Sequence, residues 1–256
     1  MFFNQTTFIG VDPTAGQRPF VFVALDSDLR LLAISQGQLE DVLAFCGGQR
    51  QAVVGVCAPR RPNQGLLQRD DVRRRLQPAP RPGRWENFRL VEYLLRQYNI
   101  FAPQTRNRAE DCPSWMQMSF RLFDRLDHLG YDNYPADESV LQTVEVYPYG
   151  AYAALLGVQP FPKHTLEGRL QRQLALHDRK LQIPDPMRLF EEITRYKVLS
   201  GNLPVDDILY SPEELDALAA AYTAWLALRE PEAVCALGDP EEGQVIMPVA
   251  ELEPLP

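Results

Sequence analysis

The chain has 256 residues, 45% of them hydrophobic and 23% charged, the balance of a globular protein with a substantial core rather than of a disordered or fibrous one. No apolar run approaches the roughly 20 residues that span a bilayer, and Met1–Gln5 lacks the basic and long apolar regions of a secretory signal, so the expected location is the cytoplasm, with no membrane partner. The net charge of -8 is unevenly spread: Arg50–Arg89 carries ten arginines against three acids (net +7), and residues 206–256 carry twelve acids against Arg229 alone (net -11), so a nucleic-acid partner is not excluded.

Phe8–Asp12 is an apolar run that ends on a carboxylate and is followed by the loop Pro13–Gly16; it reads as a buried strand that delivers Asp12 at its C-terminal end. Pro19–Leu25 and Leu29–Ile34, separated by the turn residues Asp26-Ser27-Asp28, read as two further strands, and three strands so close together imply an antiparallel meander. Gln38–Cys46 has helical periodicity and Gly47-Gly48 ends it. The unbroken apolar run Ala52–Cys57 fits a strand covered on both faces, reached by a crossover that lays it parallel to the first. Residues 58–140 then interrupt the pattern with prolines, the arginine-rich stretch and two helices expected at Asn87–Gln97 and Trp115–His128. That is too long for a loop, and we expect a helical, arginine-rich insertion within one domain of residues 1–256.

Gln142–Tyr147 resumes the sheet, followed by a short helix near Tyr152–Leu156. Thr165 is the expected N-cap of the next helix, and Met187–Leu199 is a further amphipathic one. Ser211-Pro212-Glu213-Glu214 combines an N-cap serine, a proline at the first helical position and acids facing the dipole; the alanine-rich body behind it, Leu215–Leu228, suits close packing on a sheet. Gln244–Met247 is the last expected strand.

Cys46, Cys57, Cys112 and Cys235 show no CxxC spacing, and His128, His164 and His177 form no ligand pair, which argues against zinc and disulfides. Carboxylates remain. Hydrolysis of a phosphodiester at a two-metal site needs hard oxygen ligands around two ions about 4 Å apart, an arrangement that acids at the ends of adjacent strands can provide. Asp12, Glu145 and Asp216 are the expected catalytic residues and metal ligands. Each also has a plainer reading: Asp12 capping its turn, Glu145 paired with an arginine of the insertion, and Asp216 facing its helix dipole.

Phe8–Asp12, Ala52–Pro59, Glu145–Pro148, Leu166–Arg172, Leu215–Tyr222 and Gly238–Pro248, in this order along nearly the full length, resemble the domain-of-unknown-function family numbered 429, regarded as predicted nucleases. The resemblance implies an α/β, ribonuclease-H-like mixed five-stranded sheet flanked by helices, with acids at the strand ends. One departure is Cys57, where the family pattern often has Asp; a thiolate is a soft ligand poorly suited to Mg²⁺. Either three carboxylates suffice, or another acid such as Asp26 or Glu213 compensates, or hydrolysis has been lost. Cys57 itself reads as an inert thiol at the core edge.

The leading expectation is therefore a nuclease or phosphodiesterase dependent on Mg²⁺ or Mn²⁺, with Arg60, Arg61, Lys163, Arg169 and Arg172 contacting phosphate and Trp85 and Trp115 available for stacking on bases or for core packing. The alternative is a non-catalytic module on the same fold that binds nucleic acid, nucleotide or protein. A kinase-like ATPase fits poorly, because Asp26-Ser27-Asp28 stands where a Gly-rich phosphate loop is needed. The sequence does not set the oligomeric state.

Overall fold

The centre of the molecule is a sheet whose side chains alternate between two helical layers. The computed structural model describes residues 6–14, 18–80, 83, 85–193 and 205–256. The loop residues Ala15 and Gly16, Arg81 and Arg84 of the basic stretch, and residues 194–199 of the expected Met187–Leu199 helix lie outside the described residues.

Strand β1 (Thr7–Asp12) pairs antiparallel with β2 (Phe20–Leu25), and β2 with β3 (Leu31–Gly37). After α1 (Leu39–Gly47), β4 (Ala52–Val56) lies parallel to β1. The segment that follows carries α2 (Asp70–Arg73), α3 (Leu90–Gln97), α4 (Ser114–His128) and the two-residue strand β5 (Asp132–Asn133). β6 (Leu141–Glu145) then lies parallel to β4, with β5 at its other edge. Helices α5 (Pro148–Leu156), α6 (Leu166–His177), α7 (Arg188–Ile193), α8 (Val205–Ile208) and α9 (Pro212–Arg229) precede the hairpin β7 (Cys235–Asp239) and β8 (Gly243–Met247).

The strand order is β3-β2-β1-β4-β6-β8-β7, with β5 off this path. The mixed sheet, with antiparallel strands first and parallel crossovers after, agrees with the sequence expectation, but the count of five strands is corrected to eight. The three beyond five are β8, which the sequence marked at Gln244–Met247, β5, too short to leave a pattern, and β7, a half-exposed edge strand whose run Cys235–Asp239 contains Gly238 and shows no apolar alternation.

One face of the sheet, with Phe8, Val53 and Val144, packs on α5, α6 and α9; the other, with Ile9, Val11, Val54 and Val56, packs on α1 and α4. Helix α9 crosses the first face. Ser211 Oγ accepts from the Glu214 N–H while the Glu214 carboxylate accepts from the Ser211 N–H at 2.7 Å, the expected capped start. Its buried alanines meet two glycines in adjacent strands: a Cβ on Gly10 would stand 1.8 Å from the Ala217 carbonyl oxygen, and one on Gly55 2.4 Å from that of Ala220. Only bare backbone lets the helix this close, and that approach sets Asp216 beside the strand ends.

The arginine-rich segment is not separate from the sheet. Val91 and Leu95 of α3 share a core with Val245 and Met247 of β8, while Leu122, Phe123 and Leu126 of α4 pack on the second face. A small satellite core forms around Leu67, Leu90 and Tyr93.

Candidate active site

A cavity of about 570 Å³ opens at the carboxyl ends of β1, β4 and β6, the edge where side chains of parallel strands are free to converge on a ligand. Asp12, the last residue of β1, lies on the α9 face with Phe8 and Gly10, following the period of two. Its Oδ1 accepts from the Thr14 N–H at 2.7 Å, so the turn-capping reading is correct as far as it goes. Yet Asp12 also lines the cavity, where it meets Asp216, one turn into α9. Both are 7% exposed.

Two buried carboxylates this close raise each other's cost of ionisation. Burial first, and then the charge of Asp216, push the Asp12 carboxyl up from 3.8 to about 7, against the opposing pull of Lys163 and the Thr14 N–H. Asp216 is likewise raised by burial, opposed by Lys163. Lys163 Nζ donates to Asp216 Oδ2 at 2.6 Å. Burial works to lower this amine, but the charges of Asp216, Asp12 and Glu213 outweigh it and hold Lys163 above its ordinary value.

Glu145 is placed differently. It stands in register with Val56, and Val56 with Val11, and both valines face the α1–α4 layer. Pleat parity therefore sends Glu145 off the sheet on the face opposite to Asp12. There its oxygens accept from Arg89 Nη1 at 2.6 Å, Arg89 Nη2 at 2.9 Å and the Arg60 N–H at 3.0 Å. Arg89 also donates to the Glu242 carbonyl at 3.0 Å, and the Glu242 carboxylate, fully buried, accepts from the N–H groups of Leu90 and Gln64. This network ties the insertion and the β7–β8 turn to the sheet. All three expected acids line the same cavity, but Asp12 and Asp216 come together on one face of the sheet while Glu145, on the other, is paired with an arginine of the insertion. Among the described residues no three His, Cys, Asp or Glu side chains gather as a metal site.

The expected phosphate contacts also divide. Arg60 is engaged by Thr143 and Asp127 and lies over the Phe123 ring; Arg61 donates to the Glu241 carbonyl; Arg169 holds the Leu209 and Tyr210 carbonyls and Asp206. Lys163 and Arg172 line the cavity. Arg172 is 2% exposed; its Nη1 donates to the Phe161 and Gly168 carbonyls, while its Nε is buried with no hydrogen-bond partner among the described residues. Burial lowers its affinity for its own charge, and Asp216 partly restores it. Trp115 lines the cavity, whereas Trp85 packs in the satellite core.

Cys57 continues β4 on the same face as Asp12. It is buried, its Sγ donates to the Asp216 carbonyl at 3.3 Å, and burial, then the charges of Asp12 and Asp216, push its thiol far up. This is an inert neutral thiol. Sequence reasoning did not single out Arg89 or Glu92. Glu92 lines the cavity, accepts from the Thr105 and Arg89 N–H groups, and is raised by burial to about 7. The available signal was the position of both at the start of a helix that must dock on the sheet.

A family model described as "Protein of unknown function (DUF429)" matches residues 10–242. The chain belongs to this family. The match runs from Gly10 in β1 to Glu242 in the β7–β8 turn, so it takes in Asp12, Cys57, Glu145, Lys163, Arg172 and Asp216. Nothing matches among the curated proteins or among the solved structures.

Proposed function

We propose that this cavity is the active site of a nucleic-acid phosphodiester hydrolase that uses Mg²⁺ or Mn²⁺ held by Asp12 and Asp216. The observation that carries this reading is the pair of buried aspartates from two elements, facing the same cavity and too poorly compensated for both to ionise easily. The donor set fits the ion: two hard carboxylates with water and a substrate phosphate are the usual company of Mg²⁺. The Lys163 ammonium occupies the place of a cation against Asp216. The order β3-β2-β1-β4-β6 within the larger sheet supports the ribonuclease-H-like assignment.

Because Glu145 is already neutralised by Arg89, the reading narrows from two ions to one. When bound, such an ion supplies Lewis-acid stabilisation and a more acidic water. The chain's own residues do the rest. In the metal-free site burial and Asp216 raise the Asp12 carboxyl to about 7, so taking up the ion would displace a proton from it. Lys163 and Arg172 present positive charge to a phosphate, and the Nε of Arg172 is a buried donor without a partner among the described residues. Arg89, fixed by Glu145, forms part of the wall.

Mixing the protein with Mn²⁺ and labelled single-stranded, duplex and hybrid substrates tests the proposal: cleavage is expected, and it should vanish in Asp12→Asn and Asp216→Asn. Cleavage that survives the double replacement overturns it. The second reading, a non-catalytic nucleic-acid module, is favoured by Cys57 in place of a hard ligand and by the Lys163 ammonium paired with Asp216. Calorimetry showing no Mn²⁺ or Mg²⁺ binding, together with salt-dependent oligonucleotide binding, would select it.

A further inference from the structure

An exposed aromatic side chain projects from a fixed stretch of backbone at the cavity. Phe161 is 54% exposed and lines it. Its backbone has no freedom: the N–H donates to Gln171 Oε1 at 2.8 Å, and the carbonyl accepts from Arg172 Nη1 at 2.8 Å. Next to it, the Pro162 carbonyl accepts from Thr165 and lies so close to α6 that a Cβ on Gly168 would stand 2.0 Å away. A solvent-facing phenyl ring carried on a fixed backbone offers a stacking face whose anchor point needs no rearrangement when a ligand arrives. Trp115 and Tyr149 add aromatic surface to the same cavity.

The charges are arranged around this ring. Lys163 is two residues beyond it, and Arg172 bonds its carbonyl. At about 570 Å³ the cavity lies in the small-molecule range of about 300–1,000 Å³, room for one base with its sugar and phosphate but not for a base pair between two backbones. A duplex must first give up a base from its stack, at a cost a single strand does not meet.

We propose that the cavity takes single-stranded nucleic acid by inserting one unpaired nucleotide, its base stacked on Phe161 and its phosphate held by Lys163 and Arg172. This rests on reading the cavity as a nucleic-acid site, and it is tested by binding without turnover. Full-length Asp12→Asn protein in EDTA is titrated into a fluorescein-labelled single-stranded oligonucleotide, DNA and RNA in turn, and into the corresponding duplex, with anisotropy as the readout. The single strand should bind at least about 10-fold more tightly than the duplex, the least that unstacking a base implies. Adding Phe161→Ala should weaken single-strand binding about 5- to 100-fold, the range for loss of one stacked base. Phe161→Trp should restore it and show indole quenching on binding. Circular dichroism checks that the exposed-site variants are folded.

Equal binding of duplex and single strand, no effect of Phe161→Ala, or no oligonucleotide binding at all overturns the proposal. The two readings separate cleanly. Binding that depends on Phe161, without any Mn²⁺-dependent cleavage by the wild-type protein, upholds the platform and removes the hydrolase. Cleavage that is indifferent to Phe161 and to strandedness does the reverse.

Discussion

Replacing Asp12 by Asn should make the metal-free protein more stable at alkaline pH. An acid whose folded pKa is raised keeps its proton in the fold after the unfolded chain has lost it, so its stabilising contribution is complete below pH 3.8 and disappears as pH rises to about 7. At about 1.36 kcal/mol per pKa unit, the ionised side chain at pH 8 costs on the order of 4 kcal/mol relative to the protonated one. Asparagine never ionises, is nearly isosteric, and keeps an Oδ1 acceptor for the Thr14 N–H that now bonds Asp12 at 2.7 Å. It also relieves Asp216 of a like charge, though Lys163 loses part of its attraction. The net expectation is roughly 1–4 kcal/mol at pH 8, several degrees in Tm for a chain of this size. Thermal melts in EDTA from pH 3.5 to 8.5 measure it, because the gap between the two proteins should narrow as pH falls below about 7 and close below pH 3.8, where Asp12 is protonated in the folded and the unfolded chain alike. A variant less stable than wild type at pH 8, or a gap that does not change with pH, would refute the buried-carboxylate account. Stability gained with loss of function is the ordinary trade at a site built for a ligand.

Mn²⁺ at about 100 times its Kd should stabilise the wild-type fold by roughly 2.7 kcal/mol and leave Asp12→Asn and Asp216→Asn unmoved, as read by melts with and without EDTA. Arg89→Ala strands the buried Glu145 carboxylate and should cost about 3–5 kcal/mol in denaturant titrations, whereas Glu145→Gln, which retains hydrogen-bonding capacity, should cost less and leave Mn²⁺ binding at Asp12 and Asp216 intact. Loss of Mn²⁺ affinity in Glu145→Gln would instead place that carboxylate in the metal site.

Much of the fold was legible because local rules and tertiary packing agree. Apolar runs of five or six residues marked β1, β2 and β4, and the serine, proline and glutamate pattern fixed the start of α9 within a residue. Thr165 caps α6 as expected, its Oγ1 accepting from Gly168. The edge was harder to read. β7 is half-exposed and carries Gly238, so its pairing with β8 rather than its own sequence makes it a strand. At the site, Asp12 and Asp216 were legible as acids at element ends. The arginines were not sortable, because an arginine that holds Leu209 and Tyr210 carbonyls looks the same in sequence as one aimed into a cavity. Arg60, Arg61 and Arg169 bond protein groups and are not among the residues lining the cavity.

Glu145 shows how far parity alone reaches. Asp12 and the residue after β4 share a face, since the Cys57 N–H bonds the Val11 carbonyl at 2.9 Å and continues the parallel register. Glu145, paired with Val56, is one residue out of phase with them. The position from which a third carboxylate would reach the Asp12–Asp216 pair is therefore that of Cys57, whose Sγ already touches the Asp216 carbonyl. Cys57→Asp should then shift two properties in opposite directions. Without metal, a third buried acid has no counter-charge and the protein should lose on the order of 1–3 kcal/mol at pH 8. With Mn²⁺, the same acid adds a hard ligand, so affinity by calorimetry should rise, about 10-fold for each 1.4 kcal/mol the ligand contributes. A variant that is destabilised without tighter Mn²⁺ binding would mean that Asp12 and Asp216 do not form a cation site.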